Sequence, residues 1–572
     1  MLLFKHKYVF VIICCLFISG HKPVISEKPA FDLSKINFSF KPNILWLTCE
    51  DINPIIGCYG DPVVQTPNID QLAAEGVRFT NVYSVSGVCA PSRCAIITGM
   101  YPTSIGGLHM RNQYMGKTAL ELGLPEGGYS IVPPAEVKCF SEYLRANGYF
   151  CTNNVKTDYQ FKPPLSAWNE CSKSAHYNHR KPGQPFFAVF KTLTTHESRI
   201  ISRRFDTPLF YDPDSVPVPP YHPDLPEVRS DYARKYTQIT KMDGEIGFFL
   251  NELEKNGLLD STIIFFFSDH GGMLPREKRE IYDSGIHVPF MVRFPKKLFA
   301  GAKVDELVSF VDIAPTMLSL VGIDIPEYLQ GQPFMGKQKQ KTPREYIFAA
   351  RDRMGTDYDM FRAVRSKKFK YIKNYHPEKP HFYNEPYRNQ IPMAQALNQA
   401  RNNEELKQQF SFLSDIKAPE ELYDTTVDPY EINNLADDPK YTEVLAELRS
   451  ELDAWQKKYG DLGFLEEPEL LKKMWEGDTQ PLTENITAKF ENGWVHLNCD
   501  TKGSSIVYQV IPADESTEKY TGSAGELSSG RPECKFWKLY THPVKVNRGV
   551  KLVAVAERIG YEASGLFVFT EK

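Results

Sequence analysis

Two short apolar runs, far apart in the chain, each end in a pair of polar residues, and this pattern constrains the fold most. The runs are 43–48 and 262–267. The residues that follow them are Glu50 and Asp51 after the first run, and Asp269 and His270 after the second. Continuous apolar runs of this length predict strands buried on both faces. Because open α/β sheets bind ligands at the carboxyl ends of their strands, we expect the polar pairs to meet there.

The residue types in these pairs indicate a metal site. Carboxylate oxygens from Glu50, Asp51 and Asp269 suit a hard cation, Ca²⁺ or Mg²⁺. His270 either binds the ion through nitrogen or lies beside it. One acidic residue after a strand is often a helix cap or a solvated loop charge instead. Two such pairs, each after a buried strand, favour the metal.

A third segment carries the chemistry. Residues 89–99 read Cys-Ala-Pro-Ser-Arg-Cys-Ala-Ile-Ile-Thr-Gly. This resembles the signature of the type I sulfatases, C-x-P-S-R followed by a short apolar stretch that ends in Thr-Gly. The resemblance implies that a formylglycine-generating maturation enzyme oxidises Cys89 to formylglycine (3-oxoalanine). Its hydrated aldehyde would be the nucleophile, and position 89 would also belong to the metal ligands.

Other segments match the same family in the same order. Asn68 begins an N-x-D-x-L-A-x-x-G-x-x-F pattern, and Lys278 begins a segment similar to K-x-x-x-Y-E-x-G-x-x-x-P. The chain departs from the usual residues at Glu50, where Asp is common, and at Asp283, where Glu is common. On these motifs the chain is identified as a member of the type I, formylglycine-dependent sulfatases of the alkaline phosphatase superfamily. It looks most like secreted bacterial polysaccharide sulfatases and, more distantly, heparan N-sulfatase.

The resemblance implies a catalytic set beside the nucleophile. Arg93 lies one helical turn after Cys89 if a helix starts there, and would hold the hydrated aldehyde. Lys278 matches the lysine that contacts the sulfate and the leaving oxygen, and Lys156 matches the lysine of a G-K-x-H segment. His196 matches a family histidine and is a candidate general acid. A single Lys or His outside its motif more often packs or is solvated.

Three residues are candidates for binding the substrate. Asp158 stands where the G-K-x-H segment usually has histidine, which predicts a distinct substrate subgroup. His109 and Arg111 follow the signature closely, in a region that helps to form the sugar subsite of related enzymes. They would contact a uronate or a neighbouring sulfate. Local packing of His109 and Arg111 is an interpretation that stays open.

Composition and the N-terminus predict an exported enzyme. A chain of 572 residues with net charge −4 is too long for one core and has no basic field that would attract nucleic acid. Residues 1–26 combine Lys5 and Lys7 with an apolar run, which predicts a signal peptide cleaved after Gly20 or after Ser26. The run is too short for stable membrane insertion. We therefore expect a periplasmic or extracellular protein.

The chain divides into three regions after the signal peptide. Residues 41–341 alternate apolar strands with helical stretches and predict a large mixed, mostly parallel sheet sandwiched by helices, as in alkaline phosphatase. Residues 342–478 resemble the small C-terminal α+β subdomain of sulfatases, with an antiparallel sheet and a closing helix near 443–458. Residues 480–572 resemble the β-sandwich appended to chitobiases and some bacterial sulfatases. Its aromatics could bind sugar, although a structural role is commoner.

These features lead to a secreted carbohydrate sulfatase as the main hypothesis. It would hydrolyse sulfate esters on oligosaccharides derived from a sulfated polysaccharide, with algal ulvan first and carrageenan and glycosaminoglycans behind it. Ca²⁺ is the expected metal and Mg²⁺ the alternative. Other hypotheses keep the fold: a glycosaminoglycan sulfatase, a sulfamidase, or a formylglycine-dependent phosphonate or phosphodiester hydrolase. An inactive sugar-binding protein would not need Cys89, Arg93, Lys278 and two acidic pairs together.

Overall fold

The computed structural model describes residues 31–113, 115–201, 208–383, 385–520 and 537–571. The predicted signal peptide lies outside the described residues. Within the described part of the chain, no helix is both long and apolar enough to cross a membrane.

A sheet of eight strands lies at the centre of the first region. The strands are β1 (Asn43–Cys49), β2 (Val77–Tyr83), β3 (Phe150–Asn154), β4 (Glu170–Cys171), β5 (Phe186–Lys191), β6 (Thr262–Ser268), β7 (Phe290–Arg293) and β8 (Ala302–Ser309). Their order is β4-β3-β5-β1-β6-β7-β2-β8. Strand β7 is antiparallel to both of its neighbours, and the other pairs are parallel. The prediction of a mixed, mostly parallel sheet is confirmed.

Helices cover both faces of this sheet. They are α1 (Pro67–Ala74), α2 (Cys89–Thr98), α3 (Pro102–Ile105), α4 (Thr118–Glu121), α5 (Phe140–Ala146), α6 (Pro226–Lys255), α7 (Asp283–Ile286) and α8 (Ile313–Leu320). Alternate residues of β1 enter different cores: Ile44 and Trp46 pack in one cluster, and Leu45 and Leu47 in the other. Successive strand side chains point to opposite faces, so an entirely apolar strand is stable only between two helical layers.

A second, smaller sheet is entirely antiparallel. Its strands are β9 (Ile347–Arg351), β10 (Phe361–Arg365), β11 (Phe369–Asn374) and β12 (Glu420–Asp424), in the order β12-β11-β10-β9. The helices of this region are α9 (Pro392–Ala400), α10 (Glu404–Gln409), α11 (Thr442–Tyr459) and α12 (Glu467–Trp475). Helix α11 is the predicted closing helix, and it buries Leu448, Leu452 and Trp455 at helical spacing. The Trp455 ring stacks on Phe348 of β9 at 5.1 Å.

The C-terminal region consists of two further antiparallel sheets. Its strands are β13 (Thr487–Glu491), β14 (Trp494–Asn498), β15 (Ser505–Pro512), β16 (Lys538–Leu539), β17 (Val544–Lys545), β18 (Val550–Glu557) and β19 (Phe567–Thr570). One sheet has the order β13-β14-β17 and the other β16-β15-β18-β19. Val495 and Leu497 of the first sheet share an apolar cluster with Leu552 and Ala554 of the second. The two sheets therefore form a sandwich.

The sandwich packs closely against the first region. Leu165 N donates to Glu557 Oε2 at 2.5 Å, and Arg145 Nη2 donates to the carbonyl of Trp537 at 2.6 Å. Gly503 has φ +77°, and a Cβ there would meet the carbonyl oxygen of Ala135 at 2.0 Å. Backbone approaches backbone at this point, which only glycine permits. The contact is therefore specific rather than that of a loosely tethered module.

Candidate active site

The carboxyl ends of β1 and β6 carry the acidic residues of the site. These strands are parallel neighbours with Cys49 opposite Ser268, so the residues that follow them emerge side by side. Asp51 N donates to Asp269 Oδ1 at 3.2 Å, which ties the two ends together. Glu50, Asp51, Asp269 and His270 are all buried. The structure thus brings both sequence pairs into one cluster.

Helix α2 presents Cys89 to this cluster. The Cys89 Sγ lies 3.6 Å from Glu50 Oε2 and 3.5 Å from His270 Nε2. Arg93 lies one turn further along the helix, where its Nη2 donates to Glu50 Oε1 at 2.6 Å and to Asp269 Oδ2 at 2.9 Å. The spacing of four residues puts Cys89 and Arg93 on the same helix face. Every residue of α2 is buried.

The donor set fits a divalent cation. Ligand atoms of Asp51, Cys89, Asp269 and His270 lie within 4.8 Å of one another, and a second such group contains Glu50, Asp51, Cys89 and His196. Three buried carboxylates are costly unless cations compensate them. Hard oxygen donors of this kind favour Ca²⁺ or Mg²⁺ over a thiophilic metal. The residues present therefore fit the metal that the sequence predicted.

Two lysines approach the same carboxylates. Lys156 Nζ donates to Glu50 Oε2 at 2.6 Å, and Lys278 Nζ donates to Asp51 Oδ2. Burial raises the pKa of the Glu50 carboxyl, but Arg93 and Lys156 outweigh burial and hold that pKa well below its usual range. Burial likewise raises the pKa of Asp51, and Lys278 with other cations holds it well below the usual range. Both carboxylates are therefore ionised and available to a cation.

The same lysines act on Cys89. Burial and the charge of Asp269 raise the pKa of the thiol, but Lys156 and Lys278 outweigh them, so the pKa lies below its ordinary value. Lys278 Nζ is 3.8 Å from the sulfur. Position 89 therefore lies in an environment that stabilises negative charge.

His196 is oriented as a proton donor. It follows β5, and its Nδ1 accepts from the backbone N of Ser198 at 3.2 Å. Since that nitrogen is an acceptor, the proton of the neutral ring sits on Nε2. Burial lowers the pKa of His196, and so does Lys278, but Asp51 and Cys89 outweigh both and raise the pKa above its ordinary value.

Arg111 and Asp158 form an ion pair beside Lys156. Arg111 Nε and Nη2 donate to the two carboxylate oxygens of Asp158, each at 2.7 Å. Asp158 Oδ2 is also 3.7 Å from Lys156 Nζ. The Asp158 side chain is buried, but that of Arg111 is 36% exposed. The Arg111 side chain is therefore partly open to solvent close to Lys156.

The loop that carries Arg111 is held from the second region. Arg353 Nη1 donates to Met110 O and Arg353 Nη2 to Arg111 O, both at 3.3 Å. Glu467 of α12 pairs with Arg353, with Oε2 2.5 Å from Nε and Oε1 2.8 Å from Nη2. The position of Arg111 consequently depends on residues that lie far away in sequence.

The structure buries His109, which favours the local-packing interpretation over contact with the substrate. Its side chain has no exposed surface. Burial lowers its pKa to about 4, with Glu467 and Arg353 acting on it electrostatically, so the ring is neutral. The ring packs near Tyr358 with centroids 6.4 Å apart. These contacts agree with the interpretation that His109 packs locally.

Sequence reasoning missed three charged residues at the site. Lys191 ends β5, with Nζ 3.8 Å from Glu50 Oε1, and burial together with the charge of Arg93 lowers its pKa to about 7. Glu197 N donates to Asp51 Oδ2 at 2.8 Å, and its carboxylate pairs with Arg279 at 2.8 Å. A lysine at the end of an apolar strand was a usable signal for Lys191.

Fold and site together define a class of protein. A mostly parallel sheet with an acidic cluster at its strand ends, a helix N-terminus at Cys89 and lysines around both is the arrangement of an alkaline-phosphatase-like hydrolase of anionic esters. Residues 42–162 and 169–323 match the Sulfatase family, and residues 273–410 match the family described as N-sulphoglucosamine sulphohydrolase, C-terminal. The chain belongs to the sulfatase family and is a sulfuric ester hydrolase.

Individual relatives support the assignment. The chain is 42% identical to an "Ulvan-active sulfatase" of Formosa agariphila, over 98% of this chain and 97% of that protein. It is 26% identical to the human N-sulphoglucosamine sulphohydrolase, over 78% of this chain and 95% of the relative. The structure of a protein in complex with its substrate D-glucosamine-2-N,6-O-disulfate aligns with a TM-score of 0.51 at 20% identity, over 73% of this chain and 98% of that one. That structural likeness supports the fold.

Proposed function

We propose that the protein is an exported carbohydrate sulfatase that removes sulfate esters from oligosaccharides of ulvan. The observation that carries this proposal is the full-length similarity to the ulvan-active sulfatase of Formosa agariphila. The buried cluster of carboxylates, lysines and Cys89 supports the reaction type. The Arg111–Asp158 pair supports an anionic sugar, because a partly exposed guanidinium can bind a uronate or a second sulfate.

Position 89 and the metal supply the central chemistry. Glu50, Asp51, Asp269 and His270 would hold Ca²⁺, which would neutralise anionic charge when bound, and formylglycine at position 89, once formed and hydrated, would provide a nucleophilic oxygen. Mg²⁺ would suit the same oxygen donors but demands stricter geometry. Arg93 bridges Glu50 and Asp269, so it keeps these carboxylates in place beside the nucleophile.

The remaining residues bind and protonate the substrate. Lys156 and Lys278 approach position 89 with their ammonium groups and would bind the sulfate oxygens. The raised pKa of His196 favours its imidazolium form, which would donate a proton to the sugar oxygen as the sulfur–oxygen bond breaks and would become the neutral ring. Asp158 stands where related enzymes have histidine and pairs with Arg111. Its proposed role is to hold Arg111 and Lys156 for a substrate rather than to relay protons.

The test is sulfate release from a panel of sulfated polysaccharides, each intact and after lyase digestion. The protein is co-expressed with a maturation enzyme, and formylglycine at position 89 is checked by peptide mass. Cys89→Ala should lose at least about 10⁴-fold in turnover, because the nucleophile is absent. Cys94→Ala is the matched control, since Cys94 is a buried cysteine on the same helix that packs in the apolar core.

Release from digested ulvan that is lost in Cys89→Ala but kept in Cys94→Ala supports the proposal and indicates action on chain ends. A matured enzyme that releases no sulfate from ulvan, yet acts on a glycosaminoglycan or a phosphonate ester, refutes the ulvan assignment. Full activity of Cys89→Ala refutes the mechanism.

A further inference from the structure

A turn from the second region carries Tyr387 and is tied to residues beside the metal ligands. Tyr387 precedes a short 3₁₀ turn at Arg388–Gln390, and 39% of its surface is exposed. Tyr387 is not packed into either large apolar core, so part of its surface is open to a ligand.

A continuous series of contacts joins this turn to the metal ligands. Glu197 donates its backbone N–H to Asp51 and pairs with Arg279 through its carboxylate. Arg279 Nη2 lies 3.5 Å from Glu385 Oε2. Glu197, Arg279 and Glu385 are each at most 8% exposed. Buried ion pairs need good geometry to offset desolvation, so this series keeps the turn in place.

Glu385 determines the backbone course of the turn. Its Oε1 accepts from Tyr387 N at 2.9 Å, and its Oε2 accepts from Arg388 N at 2.7 Å. Backbone bonds to a nearly buried carboxylate restrict where the Tyr387 side chain begins, and charge-assisted bonds of this kind are the stronger ones. The ring is therefore presented by a constrained turn while its surface stays partly open.

The electrostatics of Tyr387 agree with its place at the site. Burial raises the pKa of its hydroxyl first, and the charge of Glu197 adds to that rise while Lys278 and Arg279 oppose it. The charge of Asp51 also acts on this hydroxyl. The ring therefore lies within electrostatic range of the groups that surround position 89.

We propose that Tyr387 is a specificity-determining residue that packs against the sugar ring bearing the scissile sulfate. A tyrosine offers an apolar face for the C–H side of a pyranose and a hydroxyl for hydrogen bonding. Arg111, whose guanidinium interacts electrostatically with Cys89 and Glu50, supplies the complementary cation for an acid group on the same oligosaccharide. This inference rests on the proposed function and adds a contact residue from outside the family's sulfate-binding motifs.

The experiment compares substrates that share the sulfate but differ in the leaving group. Matured wild type, Tyr387→Ala, Tyr387→Leu and Tyr387→Phe are assayed on lyase-digested ulvan and on 4-nitrophenyl sulfate. Tyr430→Ala is the matched control: Tyr430 is 45% exposed and contacts Tyr221 instead of the turn. Thermal melting of each variant checks that the fold is intact.

We expect Tyr387→Ala and Tyr387→Leu to lower kcat/KM on the oligosaccharides about tenfold or more, mainly through KM. Loss of a well-packed aromatic contact has this size, about 1.4 kcal/mol for a factor of ten. The loss should be at least about fivefold smaller on the aryl sulfate, and Tyr387→Phe should keep most of the oligosaccharide activity.

Equal losses on both substrates, or no loss on the oligosaccharides, would overturn the role of Tyr387 while leaving the proposed function intact. A wild type that releases no sulfate from digested ulvan overturns the proposed function and this inference with it. The wild-type measurement and the ratio between variants therefore separate the two failures.

Discussion

Replacement of Glu557 by glutamine is expected to make the protein relatively more stable as the pH rises. Glu557 ends β18 at the contact between the sandwich and the first region, and its side chain is buried. Burial raises the pKa of this carboxyl from an ordinary 4.5 to about 7, although the N–H of Leu165 and the charge of Lys162 act in the opposite direction. The folded protein therefore favours the neutral acid.

The sign of the effect follows from proton binding. Below about pH 4.5 the carboxyl is protonated in both the folded and unfolded states, and it adds no pH dependence. Between about pH 4.5 and 7 the unfolded state loses the proton while the folded state keeps it, so stability falls as the pH rises. Above pH 7 the loss is complete and amounts to about 3 kcal/mol. Glutamine cannot ionise, and its carbonyl can still accept from Leu165 N.

The assay is thermal unfolding of wild type and Glu557→Gln at pH 5, 6, 7 and 8 and constant ionic strength. The difference in stability between the two proteins should grow by about 2 to 3 kcal/mol from pH 5 to pH 8. For a chain of this length that corresponds to a change of about 2 to 3 °C in the Tm difference. Glu491→Gln, an exposed position on β13, is the control and should show no such trend. Parallel Tm curves for wild type and Glu557→Gln, or a variant that becomes relatively less stable at high pH, would refute the reasoning.

Three further outcomes are expected. Removal of divalent cations with a chelator should lower both activity and Tm. Excess Ca²⁺ at 100 times its Kd should restore about 2.7 kcal/mol to the free energy of unfolding, since the ion offsets the charge of the buried carboxylates. A Tm that responds to neither Ca²⁺ nor Mg²⁺ would contradict the metal site. Arg353→Met should lower the free energy of unfolding by about 3 to 5 kcal/mol, because Glu467 stays buried without its partner. It should also raise KM on oligosaccharides, because Arg353 holds the loop of Arg111. Chemical denaturation and kinetics test these two effects, and an unchanged unfolding midpoint would be the contrary result. Deletion of residues 480–572 should reduce soluble yield, because it uncovers the polar groups that bind Glu557 and Trp537; a soluble truncated protein with full activity would show that the sandwich is dispensable.

Much of the fold could be predicted because its signals are local. An unbroken apolar run is stable as a strand only when both faces are covered, which requires helices above and below a sheet. The mostly parallel sheet follows from such patterns, whereas the antiparallel second sheet and helix α11 were expected from the resemblance to sulfatases; the structure contains all of them. The meeting of the two acidic pairs was also predictable, because the residues that follow parallel neighbouring strands such as β1 and β6 lie at the same edge of the sheet.

Residues outside the motifs were harder to place. Arg111 and Asp158 are 47 positions apart and were proposed separately, yet they form one bidentate pair. His109 was grouped with Arg111 because they are close in sequence, but one is buried and the other partly exposed. No local pattern states which of two nearby side chains turns inward.

Local sequence was enough to set the acidic pairs after β1 and β6 and the helical spacing of Cys89 and Arg93, because chain neighbours and secondary-structure periodicity fix those relations. The contacts of Arg353 and Glu467 with the loop of Arg111, and of Arg279 and Glu385 with the turn of Tyr387, are visible only in the folded chain. Those relations arise between segments far apart in the chain. They depend on which oppositely charged groups become buried next to each other when the regions pack. Removal of one partner would leave the other as an uncompensated buried charge.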